Sequence, residues 1–526
     1  MNSNIIMSPA NYKLVTVILL IAAVLLFGFQ AWHWRSFTHD DAWISFRYAE
    51  NLVKGNGLVF NPGERVEGYT NFLWTILMSG PIALGLDPVP ASKILGVLFS
   101  LGTLLMMFKL SALLLPTPYP AAAVFLLAAS PPFAFWSIGG LETAMFGFLT
   151  LTGLYLGYRL ITIKSSPFIT GLIMVLNMLT RPDGIVIWAL FFLYYLIVFG
   201  KSRLRSLLYW VSPFVLIYIP YFLLRWTYYG WLLPNTYYVR MGTDMAQSLE
   251  LAESGVNYIV NFFRVHGGLP AIVLFLTGAV AARFRAKWPL IILLVVWCAH
   301  LVHAGGDEKP FGRLVLPLLP LYLLFITAGI AFLSSRISLF PKSVTAFLLL
   351  VVISGFLLNG IRNMDDRDYV KRHIFNYCLK NRQIGEWIHA NAKPGETMAT
   401  RAIGALGFYG KIPCYDFLGI VDEHIAHLPL EPGQATAHGK SDLIHIIRKE
   451  PTYVVSMLME PEKLGYRRLT IKPDETVSIL IFKRDPSLIP DEAYLADPRE
   501  NQGLLLPYTP EPRPKNKIEK SLESIE

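Results

Sequence analysis

Residues 14–29 have the sequence LVTVILLIAAVLLFGF, a run with no charged residue that directly follows Lys13. No small-residue cleavage site follows the run, so we interpret it as a retained membrane anchor rather than a signal peptide. The rest of the 526-residue chain has the same character, with 54% apolar or aromatic residues, 16% charged residues and a mean hydropathy of +0.45. Soluble domains carry roughly a quarter charged residues. The composition therefore excludes a soluble or disordered protein and indicates an integral membrane protein.

The pattern of apolar runs predicts a polytopic α-helical membrane protein with about eleven spans, since one span needs about 20 apolar residues. After the first run, the predicted spans lie near 92–114, 120–137, 141–160, 168–180, 184–199, 207–229, 268–282, 289–303, 314–333 and 343–360. The run 71–86 is short and contains Gly80 and Pro81. We interpret it as a juxtamembrane helix on the outer face.

Lysine and arginine are concentrated in alternate loops, which predicts the orientation of the chain. The basic loops contain Arg159 and Lys164; Lys201, Arg203 and Arg205; Arg283, Arg285 and Lys287; Arg336 and Lys342. By the positive-inside rule these loops and the N-terminus are cytoplasmic. The loops 35–90, 138–142, 181–183, 230–266 and 304–313 and the tail after 360 are then outside. The net charge of +9 is explained by the cytoplasmic loops, so no nucleic-acid partner is predicted.

The carboxylates agree with this orientation. Seven lie between residues 88 and 362, all in outer loops or at their edges: Glu142, Asp183, Asp244, Glu250, Glu253, Asp307 and Glu308. An acid in the middle of a span normally marks a proton or ion path. Its absence from the predicted spans counts against a proton-coupled transporter and places the chemistry on the outer face.

Three regions are predicted. Residues 1–360 form the transmembrane catalytic domain, with 35–90 as the first outer loop. Residues 361–506 form an extracytoplasmic α/β domain, with strands near 396–400, 453–456 and 477–482 and helices near 376–391 and 441–450. Residues 507–526 are predicted to be a disordered tail.

Two adjacent acids, Asp40 and Asp41, lie just beyond the first span. One of them can stay ionised and deprotonate a hydroxyl while the other shifts its pKa or binds a metal. Aspartate is also a favoured helix N-cap, and either residue could simply cap the helix that carries Arg47 and Tyr48. Spacing alone does not decide between these roles.

The loop that these acids open, DDAWISFRYAENLVKGNGLVFNPGERVEGYTNFLW (40–74), resembles the first extracytoplasmic loop of GT-C-type membrane glycosyltransferases. The likeness is strongest to the group that contains the mycobacterial terminal arabinofuranosyltransferases. Further matching pieces are GGLET (139–143), TRPDG (180–184), GGD (305–307), FGR (311–313) and GALGFY (404–409). The resemblance touches most of residues 38–425.

The resemblance implies a glycosyltransferase in the bacterial inner (plasma) membrane. Such an enzyme passes a sugar, arabinofuranose in the most similar group, from a polyprenyl-phosphate donor to a hydroxyl of a cell-envelope polysaccharide or glycolipid. It also implies that Asp40 or Asp41 is the base. The alternatives are a lipid-linked-sugar transporter or flippase, and a non-catalytic envelope glycan-assembly protein.

A departing prenyl phosphate needs positive charge beside it, and arginine suits phosphate because its planar fork makes paired hydrogen bonds. The predicted phosphate ligands are Arg181, Arg313, Arg47 and Arg65, with Arg240 and Lys309 as further outer cations. The predicted acceptor or donor contacts are Glu142, Asp183, Asp307, Tyr69 and Tyr237. No cofactor is required by the sequence, although Asp307 and Glu308 could assist a divalent cation. A disulfide between Cys378 and Cys414 is left open.

Overall fold

The computed structural model describes residues 9–162, 165–200, 203–240, 245–265, 267–283, 287–336, 347, 350–351, 353–355, 370–429, 439–456, 458, 460–474 and 477–496. Helices dominate up to residue 336, and a small sheet with short helices follows residue 397. The span predicted over 343–360 lies mostly outside the described residues, and so does the tail 507–526. The boundaries proposed between the three regions stay predictions.

Among the described residues up to 336, sixteen α-helices follow one another. They are α1 (Pro9–His33), α2 (Asp40–Val53), α3 (Phe72–Ala83), α4 (Pro88–Leu114), α5 (Tyr119–Ala128), α6 (Pro131–Ser137), α7 (Thr143–Thr162), α8 (Pro167–Thr180), α9 (Gly184–Phe199), α10 (Leu204–Pro213), α11 (Ile219–Tyr229), α12 (Asn235–Arg240), α13 (Met245–Val265), α14 (Gly268–Ala281), α15 (Lys287–His303) and α16 (Leu319–Arg336). A π-helical turn, Phe214–Tyr218, joins α10 to α11, and a 3₁₀ segment, Pro310–Leu318, precedes α16.

By length and composition, five of the described helices could cross a membrane, or up to seven segments if each of two bent helix pairs counts as one span. Four shorter apolar helices accompany them, α3, α8, α9 and α15. The predicted polytopic helical architecture is confirmed. The count of about eleven spans stays a prediction, because α8, α9 and α15 are shorter than a full crossing.

The surface of the helices is apolar where a bilayer would cover it. On α1, Leu25 is 68% exposed and Phe29 is 69% exposed, an arrangement that water would penalise but lipid would not. Between α14 and α16, a Cβ on Gly278 would lie 1.8 Å from the carbonyl oxygen of Phe325, so only glycine allows the two backbones to approach. Small residues at such crossings are typical of membrane helix packing.

The segment 230–266, which the sequence assigned to an outer loop, is largely helical in the structure. Most of it forms α12 and α13, so Glu250 and Glu253 lie on exposed positions of a helix rather than in irregular chain. Leu251 and Phe262 are buried on the opposite side of α13. Apolar residues that recur with the helical period give α13 one packed face and one solvated face.

The C-terminal region contains a five-stranded mixed sheet with the order β2-β1-β3-β5-β4. Its strands are β1 (Met398–Thr400), β2 (Cys414–Asp416), β3 (Tyr453–Val455), β4 (Tyr466–Asp474) and β5 (Val477–Arg484). Strand β1 is parallel to β2 and β3, whereas β5 is antiparallel to β3 and β4. The α/β prediction is confirmed, although β2 and β4 were not anticipated because β2 is only three residues long and β4 carries charges and Pro473.

The described helices of this region are α17 (Leu379–Asn391), α18 (Ala405–Gly410), α19 (Glu423–Ala426), α20 (Leu443–Arg448) and α21 (Glu492–Ala496), with a π turn at Arg372–Cys378 and a 3₁₀ turn at Pro461–Leu464. The loop after β1 contacts the start of α2, where a Cβ on Gly404 would lie 2.2 Å from the carbonyl oxygen of Asp40. The loop after β2 contacts Gly68 through Val421. The C-terminal domain therefore docks on the same end of the helical region where the predicted outer loops meet.

Candidate active site

A cavity of about 380 Å³ lies where the predicted outer loops converge. Ionisable residues from six separate loops or helix ends face it: Asp41, Glu142, Arg181, Asp183, Arg240, His300, His303 and Arg313. Tyr69, Asn71, Thr236 and Tyr237 also line it. Loops far apart in the sequence thus bring acidic, cationic and hydroxyl-bearing groups into one space.

The two adjacent aspartates at the start of α2 point in different directions. Successive residues of a helix project about 100° apart, so Asp41 lines the cavity while Asp40 is buried beside it. The Asp40 carboxylate accepts hydrogen bonds from the backbone N–H groups of Gly404, at 3.2 Å, and Ala405, at 2.9 Å. Asp40 therefore holds the C-terminal domain against α2, and Asp41 alone of the pair faces the cavity.

The surroundings set opposite pKa shifts for these neighbours. Burial raises the pKa of Asp40 to about 6, against the two backbone N–H groups that favour its charged form. Burial also acts to raise the pKa of Asp41, but the positive charges of Lys309, Arg313 and Arg240 outweigh it and hold that pKa well below its usual range. The Lys309 ammonium lies 3.4 Å from the Asp41 carboxylate. Asp41 is therefore ionised at neutral pH.

Two imidazoles cap the first turn of α2 and fix the direction of Asp41. The Nδ1 atom of His39 accepts the backbone N–H of Asp41 at 3.2 Å, and the Nε2 atom of His373 accepts the backbone N–H of Asp40 at 3.0 Å. The two rings stack with centroids 4.6 Å apart and are both buried. Burial lowers the pKa of His373 to about 4, which keeps it neutral and able to accept.

Replacing His373 by phenylalanine should leave the first N–H of α2 without its acceptor. Loss of a helix cap costs about 1 kcal/mol, so we expect a drop in thermal stability and a decrease in the turnover rate of about tenfold, 1.4 kcal/mol in the barrier, if the Asp41 carboxylate shifts. The amide oxygen of H373Q can reach the position of Nε2, so it can accept the same N–H and should restore both. Equal rates in H373F and wild-type protein would show that the cap does not position Asp41.

One wall of the cavity is a continuous network of ion pairs. Arg181 donates to Glu142 at 2.6 Å and to Asp183 at 2.7 Å, and the Nε2 atom of His300 lies 3.3 Å from the other oxygen of Asp183. Asn71 donates its amide N–H to Glu142 at 2.9 Å. Burial acts to raise the pKa of Asp183, but Arg181 and His300 hold it well below its usual range. The wall therefore keeps Arg181 rigid with its charge largely balanced.

A second arginine reaches the cavity from the segment before α16. Arg313 donates to Asp307 at 2.9 Å, and its guanidinium lies 5.5 Å from the ring centroid of Trp136. Phe311 and Gly312 both have positive φ angles, 57° and 60°, and form the tight turn that aims Arg313 inward. Positive φ at a residue with a side chain is a strained conformation that often occurs at functional sites. Asp307 itself lies behind Arg313 with its side chain 1% exposed, and it does not line the cavity.

A third arginine, Arg240 at the end of α12, is exposed and lines the cavity. Among the described residues its guanidinium makes no ion pair, unlike those of Arg181 and Arg313, so it is available to a ligand. The start of α12 is fixed by Asn235, whose amide donates to the carbonyl oxygen of Gly419 at 2.7 Å. Tyr237, from the same helix, is 39% exposed in the cavity wall.

Two predicted phosphate ligands, Arg47 and Arg65, lie elsewhere. Arg47 is buried, donates to the carbonyl oxygens of Phe60 and Gly407, and joins the first loop to the C-terminal domain. Arg65 is exposed and packs on the ring of Tyr228, with 4.8 Å to its centroid. The sequence predicted only that both are outer cations, because one of the buried carbonyl groups around Arg47 belongs to helix α18, 360 residues away.

The structure adds residues that the sequence did not single out. His300 and His303 line the cavity, and the spacing of the two residues matches no metal-binding pattern that would have marked them in the sequence. His373 had no sequence signal, since it contacts α2 across 333 residues of chain. Lys309 and Arg240 were recognisable only as members of a larger set of outer cations.

The donor set around the cavity does not fit a divalent cation. The carboxylates that face it already accept from cationic groups, Asp41 from Lys309 and both Glu142 and Asp183 from Arg181. Among the residues that the structure describes, no group of three or more His, Cys, Asp or Glu side chains is placed to hold a metal ion. Cys298, Cys378 and Cys414 are free thiols, so the Cys378–Cys414 disulfide that the sequence left open is not formed.

Sequence comparisons find relatives for two parts of the chain. Residues 368–494 match a family described as a domain of unknown function (DUF8728). A protein named terminal beta-(1->2)-arabinofuranosyltransferase from Mycobacterium tuberculosis is 30% identical over 360 residues. That alignment covers 59% of this chain and 54% of the relative, so the chain spans about half the length of that protein.

Two solved structures share the fold at low sequence identity. ArnT from Cupriavidus metallidurans, crystallised with undecaprenyl phosphate, is 12% identical, with a TM-score of 0.57 over 92% of this chain and 100% of that one. An oligosaccharyltransferase from Archaeoglobus fulgidus is 13% identical, with a TM-score of 0.51 over 91% of this chain and 75% of that one. At these identities the likeness shows the fold and not the activity.

Proposed function

We propose that this chain, which has the fold of the GT-C membrane glycosyltransferases, transfers a sugar from a polyprenyl-phosphate donor to a hydroxyl of a cell-envelope glycan on the outer face of the membrane. Arabinofuranose is the sugar we favour, because the mycobacterial relative is named for it. The orientation, with the N-terminus in the cytoplasm and the cavity outside, is part of the proposal.

The main support for the proposal is that one base and several cations face the same cavity. The Asp41 carboxylate faces the same space as the guanidinium groups of Arg181, Arg240 and Arg313. An ionised carboxylate suits a hydroxyl nucleophile, and a cluster of arginines suits a departing phosphate. A base and several cations in one cavity suit the transfer of a group from a phosphate to a hydroxyl.

The cavity also has an apolar border that suits a prenyl chain. Ile185 and Val186 at the start of α9, with Leu233 and Pro234 before α12, line it beside the charged groups. Ile185 is also 38% exposed, so this border is continuous with the apolar exterior of the bundle. A lipid tail in the bilayer could thus place its phosphate at the arginines without leaving an apolar environment.

In the proposed step, the acceptor oxygen attacks the anomeric carbon of the donor sugar. The new bond between oxygen and the anomeric carbon forms as the bond from that carbon to the phosphate oxygen breaks. The Asp41 carboxylate takes the acceptor proton, and the electron pair leaves with polyprenyl phosphate. Arg240, Arg181 and Arg313 stabilise the charge that develops on that phosphate.

Donor binding would also adjust the basicity of Asp41. Lys309, Arg313 and Arg240 hold the pKa of Asp41 well below its usual range, which makes it a weak base. A phosphate placed among the same cations offsets their charge, so the pKa of Asp41 rises when the donor is bound. The base is therefore strongest in the complex that needs it.

The proposal is tested by incubating the purified protein with a panel of radiolabelled polyprenyl-phosphate sugars and a cell-envelope glycan fraction. We expect one donor to yield labelled glycan, and the identity of that donor names the sugar. Failure of every donor, including the arabinofuranosyl one, to label the glycan would contradict the proposal.

Replacing Arg240 by glutamine should weaken donor binding without disturbing the fold, because Arg240 is exposed and makes no described ion pair. A charge-assisted hydrogen bond is worth about 1.5–3 kcal/mol, so we expect the KM for the donor to rise by about 10- to 100-fold. Arg264→Gln removes an equally exposed arginine that bonds Asn261 and is the matched control. If the KM for the donor is the same in R240Q and R264Q, Arg240 is not part of the phosphate site.

A further inference from the structure

Four aromatic rings lead from the cavity to the surface of the C-terminal domain. Tyr237, in the cavity wall, lies 5.7 Å from Tyr238 between ring centroids, and Tyr238 lies 5.5 Å from Trp231. His427 lies 4.4 Å from Tyr238 and stacks on Trp231 at 3.9 Å. We call Tyr237, Tyr238, His427 and Trp231 the aromatic ladder.

The two ends of the aromatic ladder are open to solvent. Tyr237 is 39% exposed and Trp231 is 38% exposed, whereas Tyr238 and His427 between them are half-buried. His427 covers one face of the indole of Trp231, so the exposed area lies on the other face and the ring edge. Exposed aromatic surface that continues from a cavity is typical of a binding surface.

Charged groups border the outer end of the aromatic ladder. Trp231 shares a small recess with Arg65 and Glu423, and its indole N–H donates to the Glu423 carboxylate, which fixes the ring. A flat apolar ring flanked by a carboxylate and a guanidinium matches a sugar unit. The C–H face of the sugar can rest on the ring while its hydroxyls bond to the charged groups.

A lipid surface fits these contacts less well. Aromatic belts place their rings at the boundary of a bilayer, but the partners of Trp231 here, His427 and Glu423, belong to the C-terminal domain. Charged side chains beside the exposed face would also be costly to bury in hydrocarbon. The surroundings therefore favour a polar ligand with an apolar face.

We propose that the aromatic ladder is a subsite for an extended glycan, the chain whose terminal hydroxyl enters the cavity. The inference rests on the proposed function and deepens it, because it makes the acceptor a glycan of several sugar units. Each of the two steps between ring centroids, 5.7 Å and 5.5 Å, is comparable to the length of one sugar unit, so only a chain of several units reaches from Tyr237 to Trp231.

The subsite is tested by calorimetric binding of arabinofuranosyl oligosaccharides of two and six units to the purified full-length protein without donor. We expect the six-unit glycan to bind about tenfold more tightly than the two-unit glycan, since one aromatic anchor is worth about that factor. Trp231→Ala should abolish the difference and leave the affinity for the two-unit glycan unchanged. Trp231→Phe should retain most of the difference in affinity between the two glycans. Trp288→Ala, at another exposed tryptophan, should retain all of this difference.

Three results would overturn the subsite: equal affinities of both glycans for the wild-type protein, equal weakening of both by W231A, or no change in either affinity in W231A. The last result would show that Trp231 does not contact the glycan. Length-dependent binding without sugar transfer would support the subsite and reject the proposed function. Sugar transfer without any dependence of binding on glycan length would support the proposed function and reject the subsite.

Discussion

Replacement of Asp41 by asparagine is expected to lower the rate of sugar transfer by about 10²- to 10⁴-fold, the range that a positioned general base contributes. Asparagine has nearly the same shape but cannot take the acceptor proton. Because Asp41 is partly exposed at the cavity and Lys309 keeps a second carboxylate partner, Glu308, at 3.6 Å, the change should leave the fold and the membrane insertion intact. Initial rates of labelled glycan formation, with thermal unfolding as the stability measure, provide the test.

The matched control is the same substitution one residue earlier. Asp40→Asn keeps one oxygen acceptor for the N–H groups of Gly404 and Ala405 and removes the other. We expect a loss of stability of about 1 kcal/mol from the imperfect docking of the C-terminal domain, with the transfer rate within about tenfold of wild type. If instead D40N is inactive and D41N is active, the roles assigned to the two aspartates are reversed.

Replacement of Arg181 by methionine is expected to have the second largest effect, on stability as well as on transfer. It leaves Glu142, whose side chain is 3% exposed, and Asp183 without their shared counter-ion. Removing one partner of a buried ion pair costs about 3–5 kcal/mol, and the partial exposure of Asp183 favours the lower end. Thermal unfolding of the detergent-solubilised protein measures this loss.

A second substitution separates charge imbalance from lost packing. Glu142→Gln combined with R181M removes the unpaired buried charge and should recover much of the stability, because a neutral pair of similar volume is often tolerated. Arg159→Met, at an arginine that contacts only Tyr155 among the described residues, is the control for losing an arginine. If R181M is as stable as R159M, the ion pairs in the wall of the cavity contribute nothing to stability.

Much of the candidate site could be anticipated from the sequence because its residues lie in loops that are all predicted on the same side of the membrane. Arg181, Arg313 and Glu142 were selected as outer charged residues at the ends of apolar runs, and the structure places all three around one cavity. The predicted topology was sufficient to select these residues, because all groups at the outer ends of the helices lie near the same plane at the membrane surface. Which of those groups face inward depends on the packing of the bundle.

The choice between Asp40 and Asp41 shows what sequence could not supply. Both begin the same helix, and local spacing gives each the same claim to act as base or cap. The difference is set by the N–H groups of Gly404 and Ala405, which approach Asp40 from more than 360 residues away. The capping role itself belongs to His39 and His373, and the second of these also comes from the distant end of the chain.

The elements of the fold also differ in how far the local sequence predicts them. Long apolar runs such as 92–114 predicted helices closely, because composition alone decides them. The segment 230–266 was assigned to a loop since its charges obscured the apolar period that packs Leu251 and Phe262. Strand β2 was missed because three residues carry too little pattern to be distinguished from a turn.

The central claim, that Asp41 drives cleavage of a lipid-phosphate sugar, is tested most directly with a donor that carries separate labels on the sugar and on the phosphate. The purified protein is placed in vesicles with a glycan acceptor on one side, and both labels are followed. We predict that the wild-type protein releases one polyprenyl phosphate for each sugar bound to the glycan, and that D41N releases it about 10²- to 10⁴-fold more slowly. Movement of intact donor across the bilayer, with the sugar–phosphate bond unbroken, would contradict the claim and indicate a transporter.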